Sequence, residues 1–347
     1  MKLRLTSSTL ALLCAALLAP TGTQAEDFTT IVKGALAASA PTDRYVSGKG
    51  DGNWFFLRRE LEHLQNGDLA SASFPQINVE GTDPVPVIAQ YAKDLKALGV
   101  ELLVVPVPAK ASIYPEKLDA KADAATVPPL ANFLAKLKAE GVESLDLEAE
   151  FKKVRAADPA NQLYCATDSH WSPSACQLVA NLVAAKYKAL PEVVAAKTTG
   201  LTTLPAETRE YLGDLLKDAP KGTAAKEKLP LVRAGLGAGG SVTTVESSSA
   251  SPIVVLGDSH LQIFRKGGDM LDTQGGFVDH LQVALGTAVQ EFTMQAGGAD
   301  GPRVEIARAS AKNPEFWSKK KVAIWVFTAR EFTLGKWRVL PAQVKKK

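Results

Sequence analysis

The sequence predicts an α/β fold of three layers, a mainly parallel sheet held between two layers of helices. Three observations carry that expectation. Residues 102–107, 253–256 and 322–327 are short, nearly unbroken apolar runs, as strands buried on both faces require. Longer segments with apolar residues at helical spacing alternate with them. The run 253–256 ends in Gly257-Asp258-Ser259, a polar turn at the carboxyl end of a buried strand, where open parallel sheets bind their ligands.

Taken in order, residues 1–25 read as a cleavable signal peptide. Lys2 and Arg4 precede a short apolar stretch at 10–19, and Thr23-Gln24-Ala25 offers the small residues that a signal peptidase inspects. The stretch is short for a membrane span, and an uncleaved anchor is the alternative. Residues 26–47 are small and polar and read as a flexible lead-in to a domain at 48–340. Gly50-Asp51-Gly52-Asn53 is a turn signal, and 54–57 a short buried strand. Val87, Ile88, Tyr91, Leu95 and Leu98 lie on one helical face, with Gly99 as the stop. The strand 102–107 follows, closed by Pro106 and Pro108. Residues 130–137 read as a helix ended by Gly141, and 142–147 as a strand.

Residues 161–171 are polar and loop-like. Ser172 stands where an N-cap belongs and Pro173 opens a helix running to about residue 189. The stretch 219–251, rich in Gly, Ala, Ser, Lys and Pro, reads as a long low-complexity connection, the alternative being an inserted subregion. Beyond Ser259, a helix is expected at 277–285 and late strands at 304–307 and 322–327.

The chain has 347 residues, of which 46% are hydrophobic, enough for a substantial core. A formal charge of +3, with no basic run longer than the three lysines of Lys319-Lys320-Lys321 or Lys345-Lys346-Lys347, supplies no electrostatic footprint for nucleic acid. Of three cysteines, Cys14 falls in the signal. Cys165 and Cys176 remain and are expected to form a disulfide in an oxidising compartment, the alternative being two unpaired buried thiols. No metal-ligand spacing stands out, and no phosphate-cradling loop, so no cofactor is expected.

Ser259 is a candidate nucleophile: the turn exposes its hydroxyl, and its backbone N–H can face a developing oxyanion. Gly275 or Gly276 are candidates for a second such donor. A serine needs a base, and the sequence holds four histidines. His260 adjoins Ser259, and adjacent side chains diverge. His63 and His280 fall on expected helices. His170 stands in Asp168-Ser169-His170-Trp171, with a carboxylate two residues earlier to fix its tautomer.

Asp168-Ser169-His170-Trp171, with Gly257-Asp258-Ser259 about ninety residues further on, resembles the alginate O-acetyltransferases of the AlgJ/AlgX type. Gly52 to Leu57 followed by Glu60-Leu61, Val104 to Lys110 leading to Tyr114-Pro115, and Ala323 to Phe327 with Arg330-Glu331 resemble further blocks of that family. The resemblance covers about 48–335. It implies an SGNH hydrolase-like α/β fold with permuted motif order, a triad of Ser259, His170 and Asp168, and periplasmic acetylation of an exopolysaccharide, alginate-like or cellulose-like. It also implies a membrane-bound O-acyltransferase as the acetyl supplier. Trp171, His260, Trp325 and Arg330 are the candidate sugar-contacting residues. The sequence departs from the family pattern at His260, where Tyr or Phe is common, and across 219–251. A carbohydrate acetyl-esterase using the same triad, and a non-catalytic polysaccharide-binding or scaffold protein, are the rival readings.

Overall fold

The computed structural model describes residues 26–50, 53–220 and 222–343. The signal peptide expected at 1–25 lies outside the described residues.

Five parallel strands form the central sheet: β1 (Glu101–Val107), β2 (Glu143–Ser144), β3 (Ile253–Gly257), β4 (Gln290–Thr293) and β5 (Val322–Thr328), in the order β4-β3-β5-β1-β2. The main helices are α1 (Phe28–Ala37), α2 (Arg58–Leu64), α3 (Pro84–Ala97), α4 (Leu130–Ala139), α5 (Leu147–Ala157), α6 (Pro173–Tyr187), α7 (Phe277–Leu285) and α8 (Asp300–Lys312). Strand side chains alternate between faces. Leu103, Val105, Val255, Ile324 and Val326 pack with α1, α5, α6 and α7 on one side. Leu102, Val104, Leu256, Trp325 and Phe327 pack with α3, α4 and α8 on the other. With a helical layer on each face, the three central strands β1, β3 and β5 are continuous apolar runs, whereas the edge strands β2 and β4 carry polar residues.

Four expectations are corrected. Residues 26–47 are ordered: Asp27 caps α1 by accepting the Thr30 N–H at 2.9 Å, and Phe28, Ile31, Val32 and Leu36 are buried at helical spacing. Tyr45–Ser47 then pairs antiparallel with Phe55–Leu57. The strand expected at 142–147 is cut to Glu143–Ser144 because Asp146 caps α5, accepting the Ala149 N–H at 3.0 Å. Residues 304–307 lie inside α8, where only Ile306 of that apolar group is buried. The stretch 219–251 is not a structureless connection. Glu227–Leu231 pairs with Glu207–Tyr211, and Ala234–Ala238 pairs with both Leu201–Thr203 and Ser241–Thr243. Its glycines permit close strand approach: a Cβ on Gly235 would stand 2.2 Å from the Thr243 carbonyl oxygen.

Among the described residues no helix is long and apolar enough to cross a membrane.

Candidate active site

At the carboxyl end of β3 the chain turns through Gly257, Asp258 and Ser259 into a single helical turn, Ser259–Leu261. Asp258 builds that turn. One carboxylate oxygen accepts the His260 N–H (2.9 Å) and the His260 ring nitrogen Nδ1 (3.1 Å); the other accepts the Thr328 N–H at the end of β5 (3.1 Å). Burial pushes the Asp258 pKa up, but the charge and hydrogen bonds of His260, with Arg330, outweigh it and hold the group at about 2. Asp258 is therefore a buried brace under the turn that carries Ser259.

The polar loop between α5 and α6 lies opposite. Tyr164 and Trp171 close it as an isolated antiparallel bridge. Ser172 caps α6, its Oγ accepting the Ala175 N–H at 3.2 Å. The loop presents His170 to Ser259, with Nε2 2.7 Å from the serine Oγ, while Nδ1 lies 2.6 Å from Asp168 Oδ1. The structure thus brings together the three residues singled out by the sequence. Asp168 accepts two further bonds, from the His170 N–H (3.0 Å) and the Asp214 N–H (2.7 Å). Burial raises its pKa, but His170 and these donors more than compensate and hold the carboxyl well below the usual range. Burial opposes the His170 imidazolium, yet the charge and hydrogen bond of Asp168, joined by Asp214 and Asp258, lift its pKa above the ordinary value.

Three residues that sequence reasoning did not flag hold this loop. Asp214 receives the Ser169 N–H (2.7 Å) and hydroxyl (2.9 Å), and pairs with Arg44 at 2.7 Å. Glu227, from the stretch read as low-complexity, accepts the N–H groups of Ala166 (2.8 Å) and Thr167 (2.9 Å), the Thr167 hydroxyl (2.7 Å) and the Gln162 amide (2.9 Å). Lys110, directly beyond β1, donates its Nζ to the Asp168 carbonyl. Gly213 completes the fit, since a Cβ there would stand 2.4 Å from the Asp168 Cα, Cβ and N. None of these contacts leaves a local signal in the sequence; each depends on the insertion between α6 and β3 folding back, or on the end of β1.

The cysteines do not cross-link this loop. Both are buried free thiols rather than the expected disulfide, and burial raises both pKa values well above the ordinary value. The Cys165 Sγ instead lies 3.6 Å from the Trp171 carbonyl oxygen, and Cys176 is buried on α6.

Ser259 and His170 open into a cleft of about 460 Å³, which Arg44, Asp214, Met270 and Arg330 also line. Of the four candidate sugar contacts, Arg330 alone lines this cleft; it pairs with Glu60 at 3.2 Å. The other three are corrected. Trp171 is fully buried behind the loop that carries Asp168 and His170, its indole donating to the His260 carbonyl at 3.1 Å. His260 is buried beneath Ser259, its ring 4.7 Å from that of His170, and burial lowers its pKa to about 4. Trp325 is in the core on the α3 side of the sheet, against Tyr91, Phe327 and Trp337. The N–H groups of Gly275 and Gly276 are spent on the Phe264 carbonyl (2.8 Å) and Asp279 (3.1 Å), so neither is a second oxyanion donor. His63 is buried on α2, bonded to the Thr333 hydroxyl at 2.9 Å, and His280 is buried on α7.

Asp168, His170 and Asp214 offer ligand atoms within 4.8 Å of one another. Their oxygens already accept main-chain N–H groups and their imidazole bridges a carboxylate to a hydroxyl, a donor set built for moving a proton.

Residues 48–329 match the family model for the SGNH hydrolase-like domain of the acetyltransferase AlgX. The probable alginate O-acetylase AlgJ of Pseudomonas aeruginosa is 28% identical over 182 residues, 52% of this chain and 43% of that protein. That of Pseudomonas syringae pv. tomato is 25% identical over 293 residues, 81% of this chain and 68% of that protein. The chain thus spans less than half of the first relative and about two thirds of the second. Among solved structures, the O-acetyltransferase domain of Pseudomonas putida AlgJ superposes with a TM-score of 0.60 at 20% identity, covering 84% of this chain and 93% of that one. Pseudomonas aeruginosa AlgX superposes with a TM-score of 0.55 at 19% identity, covering 82% and 63%. The fold is therefore SGNH hydrolase-like, and the chain belongs to the family of AlgX-type SGNH hydrolase-like acetyltransferase domains.

Proposed function

We propose that this protein is a periplasmic O-acetyltransferase that moves acetyl groups onto hydroxyls of an exopolysaccharide. The observation that carries the reading is the unbroken relay Asp168–His170–Ser259, at 2.6 and 2.7 Å, opening into a cleft at the strand ends of an AlgX-type domain.

His170 Nε2 takes the proton of Ser259 as the hydroxyl oxygen attacks the carbonyl carbon of a donor acetyl ester. The Ser259 N–H faces the developing oxyanion, and the proton on His170 passes to the departing alkoxide. A sugar hydroxyl then gives its proton to His170 and attacks the acetyl-serine, releasing acetylated sugar and free Ser259. Throughout, Asp168 holds the Nδ1 proton, so that Nε2 is the basic nitrogen. Arg330 contacts the acceptor, and a membrane-bound O-acyltransferase supplies the acetyl group. Residues 1–25 direct export and 48–340 form the catalytic domain.

The test incubates the protein and Ser259→Ala with an activated acetyl ester, with and without an oligosaccharide acceptor. Mass spectrometry reads acetyl on Ser259 and on the sugar. Acetylated sugar from the wild type alone is the expected result. Serine-dependent ester cleavage with no transfer would make the protein an esterase. Equal behaviour of the two proteins would leave a binding or scaffold protein.

A further inference from the structure

Lys110 is the first residue beyond the carboxyl end of β1 to enter the short helix Lys110–Ile113, and its side chain is wholly inaccessible. Its Nζ donates to two main-chain carbonyls, of Phe55 at 2.7 Å and Asp168 at 2.5 Å. The rings of Trp54 and Phe56 lie 5.9 and 5.7 Å from the same nitrogen. Glu60 accepts the Lys110 backbone N–H at 3.1 Å and pairs with Arg330, a residue of the cleft. Burying an ammonium is costly, and here the cost is offset because the Nζ satisfies two buried carbonyls, one of them on the loop that carries His170.

Asp168 and His170 ride on a loop, whereas Ser259 is fixed to β3. Strand β1 is one strand removed from β3 across β5. A cation anchored at the end of β1 and bonded to the peptide of Asp168 ties the loop to the same rigid sheet that carries the nucleophile. A misplacement of about 1 Å in such a relay costs on the order of a hundredfold in rate.

We propose that Lys110 is a positioning residue for the transfer reaction, its ammonium holding the Asp168 main chain so that His170 stays in register with Ser259. This rests on the acyl-transfer reading above. Burial also lowers the Lys110 pKa, opposed first by Glu60.

The protein contains its own control. Lys320 is also buried, though less deeply, and donates to two carbonyls, of Ser249 at 2.8 Å and Ser251 at 2.7 Å, but at the opposite end of β5, about 20 Å of strand away from the site. Lys110→Met and Lys320→Met remove the same chemistry from two places. Serine-dependent cleavage of an activated acetyl ester gives kcat and KM, heat denaturation gives stability, and low-field proton NMR reads the His170 Nδ1 proton, assigned by its loss in His170→Gln. Both variants are expected to melt earlier. Lys110→Met alone is expected to lose kcat about 10- to 100-fold at unchanged KM, and to shift or broaden the His170 resonance. Lys110→Gln, too short to span both carbonyls, is read the same way if the Met variant does not fold. Unchanged kcat and resonance in the Lys110 variant, or equal kcat losses in both, would overturn the proposal. Ser259→Ala measured alongside separates the two ideas: if it retains activity, the acyl-transfer reading itself has failed.

Discussion

Glu227 stands on a hairpin more than fifty residues from the catalytic loop in sequence, yet it is the loop's principal anchor. Glu227→Ala removes the acceptor of two main-chain N–H groups, on Ala166 and Thr167, together with the Thr167 hydroxyl and Gln162 amide bonds. Thr167 is about 1% exposed, so water reaches its N–H poorly. Each buried donor left without a partner costs about 1–3 kcal/mol. The two main-chain groups alone give a destabilisation of roughly 2–5 kcal/mol after partial rehydration of Ala166. Glu227→Gln keeps one acceptor oxygen but turns an NH2 toward the Ala166 or Thr167 donors, and is expected to cost roughly half as much. Urea denaturation at constant slope measures both. Because Thr167 adjoins Asp168, kcat for ester cleavage should fall about tenfold in Glu227→Ala under conditions where the variant remains folded. A loss of under about 0.5 kcal/mol with unchanged kcat would refute the reasoning, since it would mean the loop keeps its shape without this carboxylate.

Other expectations follow from the same geometry. The base must be neutral, and Asp168 raises the His170 pKa, so kcat/KM should climb with pH through a limb lying above the ordinary imidazole value of about 6.5. Asp168→Asn leaves burial unopposed by that charge and should carry the limb below that of the wild type; a limb that does not move would contradict the pairing. Trp325 is sealed in the core and its Nε1 has no partner among the described residues, so Trp325→Phe should change stability by about 1 kcal/mol and leave the acceptor KM alone. A rise in that KM would return Trp325 to the sugar site. Cys165 and Cys176 should both react with a thiol reagent in denaturant without prior reduction, and a reductant should leave the melting temperature unchanged; an unreactive pair would restore the disulfide.

The three central strands β1, β3 and β5 were legible as apolar runs because two covered faces leave no room for polar residues, whereas β4, a polar half-buried edge strand, leaves no such run. The relay was legible because two short motifs and only four histidines leave few combinations. Strand parity was the signal overlooked at Trp325. Val326 and Trp325 must face opposite layers, and a residue in the middle of a doubly covered strand cannot reach a cleft at its end. Residues 304–307 read as a strand because four residues are too few to separate the two periods, whereas Ala299 to Lys312 as a whole favours the helix. The N-terminal helix was hidden by its small residues, Gly34, Ala35 and Ala37, which mask the buried Phe28, Ile31, Val32 and Leu36. Asp214, Glu227 and Lys110 act through main-chain groups of a distant loop, and no local pattern announces such a contact.

The spacing of these partners along the chain also dictates when the site comes into being. His170 meets Ser259 across 89 positions, Thr167 meets Glu227 across 60, and Glu60 meets Arg330 across 270. Strand β5, which lies between the nucleophile strand and β1, is the last to be made. A ribosome delivering the chain from its amino end thus releases the relay in pieces, and the sheet that aligns them closes only once β5 has emerged. Contacts of such long range are slow to form, so Ser259 stays without its imidazole partner while the chain is being made, and activity should appear abruptly with the completed sheet.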